Sequence, residues 1–280
     1  MSKKMSYGSD YKYIPATTIR SGKITQVLPD LYCYANKVVN VVFIGDARKK
    51  SFVLVDAGMP KSAKKIVKAV EKTYGKGARP KAILLTHGHF DHVGSIIELI
   101  NYWKVPVYSH AFELPFLTGE FDYPSPDPFV RGGLIAKISY KFPKRAVNLA
   151  DHIERLPADG SVPYLEDFRW IHTPGHTPGH VSFFREKDRT LIAGDAFITV
   201  KQDSLIKTIT QKLELNGPPK YFTTNWRAAC ESVRKLKELH PAVAITGHGR
   251  PVSGENLTIN LRNLADNFEQ KAIPPKGKYV

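Results

Sequence analysis

The chain has 280 residues, 42% hydrophobic and 24% charged, which is the make-up of a folded protein with a sizeable core and excludes a disordered or fibrous chain. Its 41 Lys and Arg against 26 Asp and Glu give a net charge of +15, which draws anionic substrates or surfaces, but the basic residues form no block and argue against a dedicated nucleic-acid binder. Cys33 and Cys230, the only cysteines, lie far apart and exclude a disulfide framework, a thiolate zinc site and a thioredoxin-type motif.

In chain order, residues 1–18 are polar with Gly and Ser and read as a mobile arm or a dimer contact, with no apolar run to make a secretory signal. Residues 19–280 read as one domain. No apolar stretch reaches membrane-spanning length, so the expectation is a cytoplasmic protein without a membrane partner. KITQVLPDLYCYA, VVNVVFIGD and SFVLVDAG read as successive strands, some broken at Asp-bearing turns. Ser62 to Tyr74 spaces Ile66, Val67, Val70 and Tyr74 as one helical stripe. A buried strand at 81–86, a helix at 93–103 and the short strand VPVYSH follow.

Residues 111–149 lack a period and hold Phe112, Phe116, Phe121, Tyr123 and Phe129, the signature of a functional loop over a pocket or of a homodimer contact. FRWIHT, HVSFFRE and TLIAGD resume the strands. A helix at 225–239, the strand AVAIT at 242–246 and a helix bearing Leu257, Leu261, Leu264 and Phe268 complete the chain. Both halves carry a strand ending in Asp, a helix and a strand ending in His, an echo that predicts an α/β class of two sheets inside and helices outside.

The densest signal is THGHFDH at 86–92, directly after an apolar strand. His87, His89, Asp91 and His92 place four candidate ligands within six residues, with Gly88 to relax the turn. Residues two apart on extended backbone project the same way, so His87 and His89 can hold one ion while Asp91 and His92 reach another. Imidazole and carboxylate without thiolate suit Zn²⁺, Mn²⁺ or Fe. His176, Asp195 and His248 each stand where an apolar strand runs into a small-residue turn, which raises the candidate set to seven.

HGHFDH, TPGHTPGH, AGDA and GHG, in this order, resemble the metallo-β-lactamase fold superfamily of hydrolases. The resemblance implies an αββα sandwich with two divalent metal ions, most simply Zn²⁺, at one edge. His87, His89 and His176 would hold the first ion; Asp91, His92 and His248 the second; Asp195 would bridge. Asp56, in FVLVDAG, matches a supporting position. The implied chemistry is attack by an activated water on the ester, lactone or thioester carbonyl of a small molecule, with Asp91 moving the proton. Phosphodiester or RNA cleavage, and persulfide oxidation at a single iron, are the alternatives.

Asp195 stands where zinc β-lactamases often place Cys, and Ile198 where the lactonases place Tyr; Tyr123, Tyr140 or Tyr221 would have to supply that phenol. His172 and His180 flank His176 at four residues and read as orienting or structural groups.

Overall fold

The computed structural model describes residues 4–130, 133–202 and 204–280. Their contacts group them into two compact units, one comprising the chain up to Tyr123 together with Pro143–Leu165, the other Pro124–Phe142 and Glu166–Val280.

The first unit is built on β1 (Ile24–Leu28), β2 (Leu31–Asn36), β3 (Val39–Ile44), β4 (Val53–Val55), α1 (Ala63–Tyr74), β5 (Ile83–Leu84), α2 (Ile96–Trp103), β6 (Val107–Ser109), α3 (Leu114–Leu117) and β7 (Ile153–Arg155). The seven strands lie side by side in chain order. From β1 to β4 they run antiparallel through short turns. From β4 to β7 they run parallel, as the α1 and α2 crossovers require. Of the stripe expected on the first helix, Ile66, Val70 and Tyr74 are buried together with Ala69 while Val67 is half-buried, and α2 buries Ile96, Leu99, Ile100 and Trp103 into the same core as Phe43 and Leu54. Each such side chain contributes about 1.5–3 kcal/mol on burial.

The segment read as an arm lies along this unit. Ser6 bridges to Asn148, the Asp10 carboxylate accepts the Lys144 N–H at 2.8 Å, and the Tyr11 hydroxyl donates to the Gly94 carbonyl at 2.8 Å.

The second unit contains α4 (Gly133–Ile138), β8 (Phe168–His172), β9 (Val181–Arg185), β10 (Thr190–Gly194), β11 (Ile198–Val200), α5 (Leu205–Thr210), β12 (Leu213–Asn216), α6 (Trp226–Glu238), β13 (Val243–Thr246), β14 (Val252–Ser253), α7 (Gly254–Asp266) and α8 (Phe268–Lys271). Its main sheet has the order β14-β13-β10-β9-β8, and β11 pairs with β12 apart from it. Only β10 and β13, which are separated in sequence by α6, run parallel. Leu191, Phe184, Val233, Leu257, Leu261 and Phe268 form the core.

The stretch from 111 to 149 is more ordered than its sequence predicts, holding α3, α4 and two 3₁₀ turns. These helices are four and six residues long, too short to complete the two turns on which a periodic stripe can be read. The three-residue strands β7 and β11 escape for the same reason. Both cysteines are buried free thiols, and burial pushes the Cys33 thiol up to about 12. Among the described residues no helix is long and apolar enough to cross a membrane.

Candidate metal centre

In the first unit the four expected residues sit on one turn after β5. His87 and His92 are fully buried, and His89 and Asp91 nearly so. The His92 and Val93 N–H groups both donate to the His89 carbonyl, which bends the chain back within the motif. His87 Nε2 and His89 Nδ1 face each other at 3.1 Å. The ligand atoms of His87 and His92, and of Asp91 and His92, also lie within 4.8 Å of one another.

Space at Gly88 is tight, and the neighbours that crowd it are side-chain ends. A Cβ there would stand 2.4 Å from the Tyr123 hydroxyl and 2.8 Å from Leu117.

Asp56, at the end of β4, organises this turn. Its carboxylate accepts the Thr86 N–H at 2.8 Å and the Thr86 hydroxyl at 2.9 Å, and Oδ2 lies 2.8 Å from His92 Nδ1. The Thr86 hydroxyl, spent as a donor to Asp56, accepts from His87 Nδ1 at 3.1 Å. One carboxylate thus places the proton of both His87 and His92 on Nδ1, leaving Nε2 as the lone-pair nitrogen in each. Asp56 holds a left-handed backbone (φ 62°), which Asp tolerates better than most residues.

In the second unit Asp195, at the turn after β10, faces two imidazoles. Its Oδ2 lies 3.5 Å from His176 Nε2 and 3.3 Å from His248 Nε2, and all three residues are buried. The Thr223 hydroxyl donates to the Pro219 carbonyl at 2.8 Å and stands 3.2 Å from His176 Nδ1. It therefore accepts from Nδ1, and His176 turns the lone pair of Nε2 toward the Asp195 carboxylate. Two buried lone-pair atoms at that separation repel unless a cation lies against both. The donor set fits a divalent metal.

The loop that carries His176 is fixed by Gly175, whose backbone (φ 129°) comes so close to α6 that a Cβ would meet the Ala229 nitrogen at 2.3 Å. The two flanking histidines make other contacts. His180 Nε2 accepts the Asp195 N–H at 2.9 Å while Nδ1 lies 2.8 Å from the Thr173 hydroxyl, and His172 Nε2 donates to the Pro178 carbonyl. The His248 carbonyl accepts from the Thr246 hydroxyl at 2.7 Å.

Two further participants, Glu113 and Thr223, are not evident from the sequence alone, and a third, Tyr123, takes a place the sequence does not specify. Glu113 is fully buried and accepts both the Gly88 N–H, at 3.1 Å, and the Tyr123 hydroxyl. Tyr123, expected among pocket-wall aromatics, is itself buried, with its ring centroid 4.6 Å from that of His89 and stacked on Phe116. Burial, reinforced by the Glu113 carboxylate, holds its phenol well above the ordinary tyrosine range, so it stays a neutral hydroxyl. Phe112, Phe121 and Phe129 are exposed, as is Tyr140, whereas Tyr221 is buried and donates to Gln202.

The family model described as the metallo-beta-lactamase superfamily matches residues 36–248. The chain belongs to that superfamily. The probable metallo-hydrolase YflN of Bacillus subtilis (strain 168) is 47% identical over 257 residues, covering 91% of this chain and 97% of its own length. Hydroxyacylglutathione hydrolase GloC of Haemophilus influenzae is 30% identical over 156 residues, 56% of this chain and 65% of its own. Among solved structures, the BLEG-1 B3 metallo-β-lactamase superposes with a TM-score of 0.55 at 24% identity, over 79% of this chain and 92% of that one. That likeness shows the fold, the α/β sandwich class expected from the sequence. The protein is an enzyme of the metallo-hydrolase kind, with His and Asp clusters able to hold divalent metals.

Proposed function

We propose that this metallo-hydrolase is dinuclear and cleaves the carbonyl–heteroatom bond of an ester, lactone or thioester of a small molecule. His87, His89, Asp91, His92, His176, Asp195 and His248 are its ligands, and zinc its metal. The observation that carries the proposal is the lone-pair arrangement: His87, His92 and His176 each have Nδ1 engaged by an orienting group, and Asp195 turns one oxygen to two imidazoles. A thioester is the first candidate because a relative of this chain is named as a hydroxyacylglutathione hydrolase.

When bound, the two ions supply Lewis acidity, lowering the pKa of water toward neutrality and polarising the carbonyl oxygen. The chain's own contribution is placement. Asp56 fixes two imidazoles, Thr223 a third, and His180 the backbone of Asp195. Asp91, a carboxylate on the same turn as three imidazoles, takes the proton released as water attacks and returns it to the leaving group. Residues 111–149 select the acyl group, with exposed Phe112 and Phe121 as the first contacts.

Elemental analysis of protein purified without chelator, joined to turnover on a panel of lactones, thioesters and phosphodiesters, tests this reading. Two ions per chain with carbonyl-substrate turnover is the expected result. A single iron with oxygen consumption, or turnover confined to phosphodiesters, would overturn it.

A further inference from the structure

The exposed aliphatic side chains are not spread evenly over the described residues. Of the eight exposed Leu, Ile and Val side chains, five belong to the second unit's α4 and α5: Leu134, Ile138, Leu205, Ile206 and Ile209. The two helices touch each other. Their buried residues are the small Ala136 and Thr208, and apart from the half-buried Ile135 each helix turns its larger apolar groups to solvent, the reverse of an ordinary surface helix. Tyr140, just beyond α4, is 62% exposed with the Lys141 ammonium 5.5 Å from its ring centroid.

The charge around this face has one sign. Residues 128–142 and 204–213 contain no Asp or Glu, and Lys137, Lys141 and Lys212 are exposed. The flanking acids in sequence are Asp127, which is buried and accepts the Phe129 N–H, Asp203, and Glu214, which is paired with Lys207 at 2.5 Å.

We propose that this face docks the protein on an anionic bilayer surface. The physical case rests on which occupant satisfies both features at once. A second copy would set lysine against lysine and lose through repulsion what it gained by covering the leucines and isoleucines. A bilayer interface accepts aliphatic groups at the acyl boundary, a tyrosine at headgroup level and lysines against anionic headgroups. Docking is peripheral, and it does not depend on the metal assignment.

Sedimentation of the full chain with vesicles of phosphatidylcholine, alone or with about one-third phosphatidylglycerol, tests the proposal, since each lysine near an anionic leaflet is worth about fivefold in partition. The expected result is binding to the anionic vesicles only, weakening with added salt. Ile206→Asp, or the milder Ile206→Ser should the first not fold, lowers that binding at least about tenfold through lost insertion. Lys137→Glu with Lys141→Glu lowers it similarly. Equal binding to neutral and anionic vesicles overturns the proposal, as does no binding to either. So does a dimer, seen by solution mass, that Ile206→Asp dissolves while vesicle binding stays absent.

Discussion

The two units assemble their candidate metal donors by opposite routes. The first places His87, His89, Asp91 and His92 on a single turn, so their spacing is set by a few backbone angles and one supporting carboxylate, Asp56. The second gathers His176, Asp195 and His248 from loops that follow three different strands, β8, β10 and β13. A clustered set depends on local geometry. A dispersed set depends on sheet register and on how each loop is seated. The contrast predicts that the first unit is sensitive to changes in what touches the turn and the second to changes in the packing beneath its loops.

The strongest test sets Asp91→Asn against Asp195→Asn. Each is expected to lower kcat by about two to four orders of magnitude. Metal content should separate them: Asp195 faces two imidazoles and its loss should deplete both ions, whereas loss of Asp91 should deplete one. Retention of full metal by Asp195→Asn would break the comparison.

Next come the two glycines. Gly175→Ala drives a Cβ into the backbone of Ala229 at a left-handed φ and is expected to destabilise by about 3 kcal/mol or more. Gly88→Ala meets the far end of Tyr123 and a Leu117 methyl, which can shift, and should cost about 1–2 kcal/mol. Thermal unfolding ranks them, and the reverse order would show that the clustered turn is the stiffer of the two.

Asp56→Asn and Thr223→Val probe the orienting groups and should each weaken metal binding by about 10- to 100-fold. Asp56→Asn is expected to be the worse, because Asp56 orients two imidazoles where Thr223 orients one. Titration with a competing chelator measures both.

The smallest effect is expected of Tyr123→Phe, which removes one donor from Glu113 while the Gly88 N–H remains, a cost of about 1 kcal/mol in unfolding free energy by denaturant titration. A collapse of metal content in that variant would place Tyr123 much nearer the chemistry than its buried hydroxyl implies.

The difference between the units also explains what the sequence makes legible. Four donors in six residues after an apolar strand are visible without any fold, because chain proximity alone brings them together. Asp195 and His248 are visible only through the habit of strands ending in small-residue turns, and His176 only by choosing among three histidines at four-residue spacing. In the structure the histidines differ in their contacts: His180 engages the Asp195 N–H with one nitrogen and Thr173 with the other, whereas His176 presents Nε2 to the carboxylate. Glu113 carries no sequence signal, since a glutamate in an aromatic segment ordinarily faces water, and only burial beside Gly88 reveals its part. Strands with strong apolar runs are read correctly. Short helices such as α4 and α5, whose large apolar groups point outward, invert the pattern that sequence reading relies on.

The Tyr123 N–H donates to the Lys144 carbonyl at 3.0 Å, so the chain leaves and re-enters the first unit at adjacent points. For protein engineering, residues 124–142 are therefore a graftable cassette. Its ends are already stapled, and its described residues contribute no strand to either main sheet. The few internal anchors a replacement must keep include Asp127, whose N–H donates to the Tyr221 carbonyl at 2.8 Å, and the buried Ala136. A library of substitute segments can then be screened for altered substrate preference with the ligand-bearing turns left as they are.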